Sequence, residues 1–256
     1  MTLSLEMLSF AYPNRPVLDR VSAGPLKRGA LTAVIGPNAA GKSTLFRCIA
    51  GLLTRYTGRV LLDGAALEPL KPRMRVNRVA FMPQFFAASA ALSVFDVVLL
   101  ARKNLSGWAV DQADVNRVAH VLDMFGIGHL SDVDIGALSG GQQQMVSVCQ
   151  ALVREPDVYL FDEPTSALDL KHQLEIMTAI SKETGQRNAV ACVALHDLNL
   201  AARFADHVVL MSEGKIVAAG PPEDVLAAQE LAQTYGVAID LIRHSGTGLH
   251  VCASLR

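Results

Sequence analysis

Aromatic side chains are scarce in this 256-residue chain, at 5%, with a single tryptophan. The core must therefore be mostly Leu, Val, Ala and Ile, and the 51% hydrophobic content allows a large one. Charge is also scarce, at 18%, and balanced: 23 Lys and Arg against 24 Asp and Glu leave a formal net charge of -1. With a pI near 6.6, the chain has no basic field to attract a polyanion, so nucleic acid is not an expected partner. Nor does any run approach the ~18–20 apolar residues a bilayer crossing needs. The mean hydropathy of +0.30 is high without such a run, so the excess has to be buried in the core or against a partner. The N-terminus carries Glu6 and no basic start, so no secretory signal is expected and a cytosolic location is. The four cysteines (Cys48, Cys149, Cys192 and Cys252) form no C-x-x-C pair, which favours buried, reduced thiols over a metal site or disulfide.

The chain has no repeat, low-complexity tract or linker. Its length fits one α/β domain with a small appendage. Leu3, Leu5 and Met7 alternate with Ser4, Glu6 and Leu8, predicting an edge-type strand before a "YPNRP" turn. "LTAVIG", "GRVLLDG" and "RVAFMPQ" read as strands. "KSTLFRCIAGLL" has helical spacing at Leu45, Cys48, Ile49 and Leu52. From about Leu92 to Arg154 the pattern is helical, with Ser93 as an expected N-cap. Strand and helix then alternate through "DVYLFDEP", "LKHQLEIMTAISKET", "AVACVALHD" and "LNLAARFAD". Uniformly apolar strands between helices predict a parallel sheet covered on both faces. Two short strands turning at Gly214 follow, then a helical stretch, "PPEDVLAAQELAQTYG".

"IGPNAAGKST", from Ile35 to Thr44, carries the first chemistry. Gly36, four residues (Pro37, Asn38, Ala39, Ala40), then Gly41, Lys42 and Ser43 match the Walker A pattern G-x-x-x-x-G-K-[ST] between a strand and a helix. Small side chains let consecutive backbone N–H groups curl around a phosphate, and the helix start aims its positive dipole end at the same anion. Lys42 reaches the β- and γ-phosphates, and the Ser43 hydroxyl is a hard oxygen for Mg²⁺. "VYLFDEP" supplies the partner acids: Asp162 ends a buried strand and completes the Mg²⁺ shell, and Glu163 can polarise a water aimed at the γ-phosphate. ATP and Mg²⁺ are thus the expected ligands.

"LSGGQQQ", Leu138 to Gln144, fixes a resemblance. In the order Tyr12, Walker A, "MPQ" at Gln84, this signature, the acidic strand, "SALD" and "LHD", roughly residues 2 to 225 resemble the ATP-binding-cassette (ABC) ATPases. The resemblance implies a P-loop α/β fold with a mostly parallel core sheet and an N-terminal antiparallel part. It also implies an inserted helical subdomain at about 85–155 and a C-terminal appendage at about 221–256. By the same resemblance, Tyr12 stacks on adenine. Gln84 touches Mg²⁺ and the attacking water and senses a membrane partner. Ser139, Gly140 and Gly141 meet the γ-phosphate of ATP held by a second copy, Gln142 belongs to the same nucleotide-binding set, Asp169 lies at the contact between copies, and His196 holds the γ-phosphate across from Glu163. A head-to-tail dimer with two ATP molecules between the copies is expected.

Two positions depart from the family's habit. Ala39 stands where glycine is common, and the expectation is a loop that accepts alanine at negative φ. Gln143 stands where a basic residue is frequent. "LHDLNLAARFADHVVLMSEGKIVAAGPPEDVL" and "TYGV" resemble the subfamily serving ferric siderophores, haem and cobalamin. This implies separate polytopic permease subunits, an indirect periplasmic substrate-binding partner, and a peripheral place on the cytoplasmic face of the inner membrane. Molybdate and zinc/manganese importers, or a non-transport ABC ATPase, are the alternatives. Phe85 and Phe86, after Gln84, either fill the core or line a groove for a helix of the permease.

Overall fold

The computed structural model describes residues 2–68, 70–84, 92–106, 109–166, 168–245 and 248–255. The chain opens with β1 (Thr2–Tyr12) and β2 (Arg15–Lys27), paired antiparallel around the Pro13–Asn14 turn. Next come β3 (Leu31–Ile35), α1 (Lys42–Ala50), β4 (Thr57–Leu62), the two-residue β5 (Ala65–Ala66), α2 (Pro72–Arg78) and β6 (Val79–Met82). Three longer helices follow, α3 (Val94–Ser106), α4 (Gln112–Asp123) and α5 (Gly140–Leu152). The alternating part is β7 (Val158–Asp162), α6 (Leu170–Arg187), β8 (Val190–Ala194), α7 (Leu198–Phe204) and β9 (His207–Ser212). The chain finishes with β10 (Lys215–Gly220), α8 (Pro222–Ala227), α9 (Gln229–Tyr235) and a hairpin of β11 (Val237–His244) and β12 (Gly248–Leu255).

The main sheet has the order β10-β9-β3-β8-β7-β6. Its pairs are parallel from β9 to β6, and β10 adds antiparallel at the edge. β3, β7 and β8 are buried at every position, because both faces are covered and a side chain has no solvent side to choose. Alternate residues serve opposite layers: Tyr159 and Phe161 join the core beneath α5 and α6, while Val158 and Leu160 join the one shared with α1 and the antiparallel sheet. That second sheet has the order β2-β1-β4-β5. Among the described residues no helix is long and apolar enough to cross a membrane.

Three expectations need correction. β1 is interior, flanked by β2 and β4, rather than an edge. Its alternation breaks at Met7, which takes φ 50 and is exposed, so Leu8 rather than Met7 continues the buried face of Leu3 and Leu5. A shift of pairing register between Leu5 and Leu8 accommodates the extra residue. The helical stretch after Pro221 is two helices, since Ala228 takes extended backbone between α8 and α9. Of the cysteines, Cys48, Cys149 and Cys192 are buried, but Cys252 is exposed on the terminal hairpin. Ser93 does cap α3, its hydroxyl accepting from Asp96 N at 3.1 Å. Phe85 and Phe86 lie outside the described residues.

Candidate functional site

The phosphate loop leaves β3 at Gly36 and enters α1 at Lys42. Gly36 takes φ 146, and a Cβ there would lie 2.2 Å from the Met211 carbonyl oxygen, so no other residue fits. Gly41 takes φ 104. Ala39 takes φ 65, in the left-handed region. The expected negative φ is therefore overturned: the loop keeps its curl and alanine bears the strain. Lys42 is 5% exposed, and its Nζ donates to Gly36 O at 2.7 Å and Pro37 O at 3.2 Å. Burial pushes its ammonium below the usual lysine range, against the pull of Glu163 and Asp162. The loop is clamped from elsewhere too, where Gly214 N in the β9–β10 turn donates to Ala40 O at 3.1 Å.

The acids stand beside this loop. Asp162, at the end of β7, is 1% exposed and accepts from Ser43 Oγ at 3.0 Å. Burial raises its pKa, and the Ser43 hydrogen bond opposes the rise. Glu163, at φ 55, is gripped at both ends. Gln84 Nε2 donates to its Oε2 at 2.5 Å, and His196 Nε2 hydrogen-bonds its Oε1. Gln144 Nε2, from α5, donates to its carbonyl at 3.1 Å, and Ser166 Oγ does so at 3.2 Å. His196, expected across from Glu163, is thus in contact with it. The Ser43 hydroxyl and the Asp162 carboxylate already meet, and both are hard-oxygen donors of the kind Mg²⁺ takes.

A cleft of ≈ 480 Å³ joins these parts, lined by the loop from Asn38 to Thr44 with Tyr12, Arg15, Gln84 and Glu163. The Tyr12 ring is held edge-on by Phe10, with centroids 4.9 Å apart. Ser139, Gly141, Gln142 and Asp169 line a separate cavity of ≈ 410 Å³. Ser139 starts α5 with a capping box: its hydroxyl accepts from Gln142 N at 3.3 Å, and Gln142 Oε1 accepts from Ser139 N at 2.9 Å. Gly140, beside it, is open, with nothing within 4 Å of where a Cβ would stand. Asp169 caps α6, accepting from His172 N at 3.0 Å.

Sequence reasoning missed four contributors: Gln144, Gly214, Arg15, and Tyr235, whose hydroxyl accepts from Gly36 N at 3.0 Å. Gln144 had a visible signal, as the last of three glutamines and the one directly before the apolar run "MVSVC", and it is 5% exposed. Gly214 and Tyr235 reach the loop from far along the sequence, which only the folded chain reveals, and Arg15 lies opposite Tyr12 in the first hairpin.

A parallel sheet whose strand runs into a glycine-bearing loop at a helix start, with an acid pair on a nearby strand end, defines a P-loop nucleotide-binding ATPase fold. Comparison with known proteins gives the family. The profile described as ABC transporter matches residues 19–166, and the chain belongs to that family as an ATPase. The hemin import ATP-binding protein HmuV of Rhodopseudomonas palustris is 36% identical over 249 residues, 93% of this chain and 89% of that protein. The ferric enterobactin transport ATP-binding protein FepC of Escherichia coli K12 is 32% identical over 236 residues, 91% and 86% of the two chains. Among solved structures, a dimeric ATP-binding cassette in a post-hydrolysis state with ADP and phosphate superposes with a TM-score of 0.77 at 26% identity, covering 86% of this chain and 98% of that one.

Proposed function

We propose that this chain is the ATP-hydrolysing subunit of an importer for a ferric siderophore or related metal chelate. It works as a dimer, peripheral on the cytoplasmic face of the inner membrane, with separate polytopic permease subunits and, through them, a periplasmic binding protein. The observation that carries the ATPase site is Glu163 held between Gln84 and His196 in the same cleft as Lys42. The substrate class rests on the likeness to import subunits named for hemin and ferric enterobactin. Haem is the second reading, favoured by the slightly higher identity to the hemin protein.

The geometry supports the following roles. Tyr12 offers a fixed ring face to adenine. The backbone from Gly36 through Pro37, Asn38, Ala39, Ala40 and Gly41 to Thr44 wraps the phosphates, and Lys42 leaves its loop carbonyls to pair with the β- and γ-oxygens. Glu163 accepts the proton of the attacking water, with His196 and Gln84 fixing its carboxylate. Ser43, Asp162 and Gln84 would hold Mg²⁺, which supplies neutralisation of the triphosphate charge. Ser139, Gly140, Gly141 and Gln142 present a helix start to ATP on the other copy, with Asp169 beside them.

An apolar groove of ≈ 430 Å³ between α2, β6, α3 and α5, lined by Val76, Phe81, Met82 and Leu92 among others, supports the permease contact. It lies next to Gln84 in sequence, so movement of a docked helix reaches the Glu163 carboxylate.

The test is the Lys42→Ala chain, alone and expressed with its membrane subunits. ATP binding should weaken and hydrolysis should vanish, while co-purification with the permease persists. Near-normal turnover refutes the assigned site. Failure of the wild-type chain to co-purify with any polytopic membrane protein refutes the transport role.

A further inference from the structure

Gly36 opens the phosphate loop, and its N–H has no strand partner because β3 ends at Ile35. A buried N–H needs an acceptor. That acceptor comes from the far end of the chain, where Tyr235 Oη takes the hydrogen bond at 3.0 Å. Tyr235 is the last residue of α9, and Gly236 ends that helix by taking φ 69. Its ring packs against the main core, and burial pushes its phenol above the usual range, which keeps the hydroxyl neutral.

The acceptor acts on a residue with no slack. The Gly36 carbonyl is where Lys42 Nζ rests, and Met211 O closes the space where a side chain on Gly36 would have to stand. Tyr235 completes the set by fixing the N–H side.

A tether transmits position only if its far end is fixed, and here it is. Leu226 and Leu231, in α8 and α9, are buried at 1% and 0% exposure. The hairpin that follows Gly236 is clipped to α7 by Asn199, whose Oδ1 accepts from Val251 N at 2.8 Å and whose Nδ2 donates to Val251 O at 3.3 Å. α7 itself starts just after His196. The C-terminal segment therefore holds the ATP site from two sides.

We infer that Tyr235 is a positioning residue for nucleotide binding: its hydroxyl sets the first glycine of the phosphate loop and ties the C-terminal appendage to the ATP site. This rests on the proposed ATP site. The first consequence of losing the hydroxyl is a loop less well ordered before nucleotide arrives, so the ordering is deducted from ATP affinity. Once ATP is bound, the phosphates themselves order the loop, and turnover is little affected.

The experiment is steady-state ATP hydrolysis by full-length wild type, Tyr235→Phe and Lys42→Ala. Tyr235→Phe keeps the ring and its packing and removes only the acceptor. The expected result is a KM for ATP raised about fivefold, the scale of one hydrogen bond, with kcat retained. KM does not depend on how much of the sample is folded, so a purely structural role leaves it unchanged and lowers only the melting temperature or the apparent kcat. A Tyr235→Phe KM within about twofold of wild type overturns the proposal, whatever happens to kcat. The Lys42→Ala chain separates the two failures. If it hydrolyses ATP normally, the site reading falls, whereas its inactivity beside an unchanged Tyr235→Phe KM removes only the role of Tyr235.

Discussion

Ala39 holds φ 65 in the middle of a loop that has to curl around an anion. A β-carbon in the left-handed region costs on the order of 1 kcal/mol, part of which glycine returns through its looser unfolded chain. Backbone held in such regions collects at ligand clamps, and Glu163, at φ 55, is a second instance in the same cleft. Ala39→Gly should therefore raise the melting temperature by about 1–3 °C, the shift expected for a fraction of a kcal/mol to 1 kcal/mol in a chain of this size. Calorimetry of the full-length chain checks this, and a lowered melting temperature would show that alanine is not strained there. The residue types of the loop were legible because the chemistry needs them side by side. The conformation of Ala39 was not, because it is imposed by partners such as Gly214, which donates to the next carbonyl from far along the sequence.

Single helices depend on charges that no local pattern reveals. Asp114 completes the capping box of α4 by accepting from Asp111 N at 3.3 Å. The same carboxylate takes Lys103 Nζ at 2.6 Å and Arg102 Nε at 2.7 Å from α3. Arg102 goes on to Glu155, which also pairs with Arg117 and Arg187, and those two meet Glu183 on α6. The helical block is thereby tied to the sheet's own helix layer. Capping at Ser93 could be read from three residues, but this network joins positions far apart in sequence and appears only after folding. The Lys103 ammonium and then the Arg102 guanidinium hold the Asp114 carboxyl well below the usual carboxylate range. A pKa lowered by folding gives stability that is present above the unfolded value near 3.9 and lost as pH falls from there toward the folded value. Asp114→Asn leaves Lys103 and Arg102 without their acid and should cost about 3 kcal/mol at pH 7, the scale of breaking a buried ion pair. Urea midpoints of wild type and variant should lie well apart at pH 7 and converge below about pH 4. A gap that stays constant with pH would mean that the carboxylate charge is not what stabilises this corner.

One chain presents two half-sites in separate cavities, Lys42 and Glu163 in one, Ser139 and Asp169 in the other. The two motifs could be read from sequence, and so could their need for each other, but where the fold puts them decides what that need means. Since Ser139 and Asp169 do not line the cleft of their own Lys42, the proposed function takes the shared ATP to be held by a second copy facing the opposite way, with two identical contacts related by a two-fold axis. The structure also offers a variant that blocks this contact without disturbing the chain. Gly140 is the first residue of α5, has no positive φ, and has open space where a Cβ would stand. An aspartate there suits a helix start and should leave the chain as stable as before, yet it sets a negative charge where the proposed pairing brings the partner's γ-phosphate. Glu163→Gln keeps the shape of the acid but removes the base, so hydrolysis should fall by at least ~10²-fold while the ATP-bound pair accumulates. In size-exclusion chromatography with light scattering and Mg-ATP, the Glu163→Gln chain should run at twice its 27.4 kDa. Adding Gly140→Asp to that chain should return it to the single-chain mass with its melting temperature unchanged. A Glu163→Gln chain that stays single with Mg-ATP, or a double variant that still pairs, would mean that the cavity at Ser139 is not the other half of the ATP site.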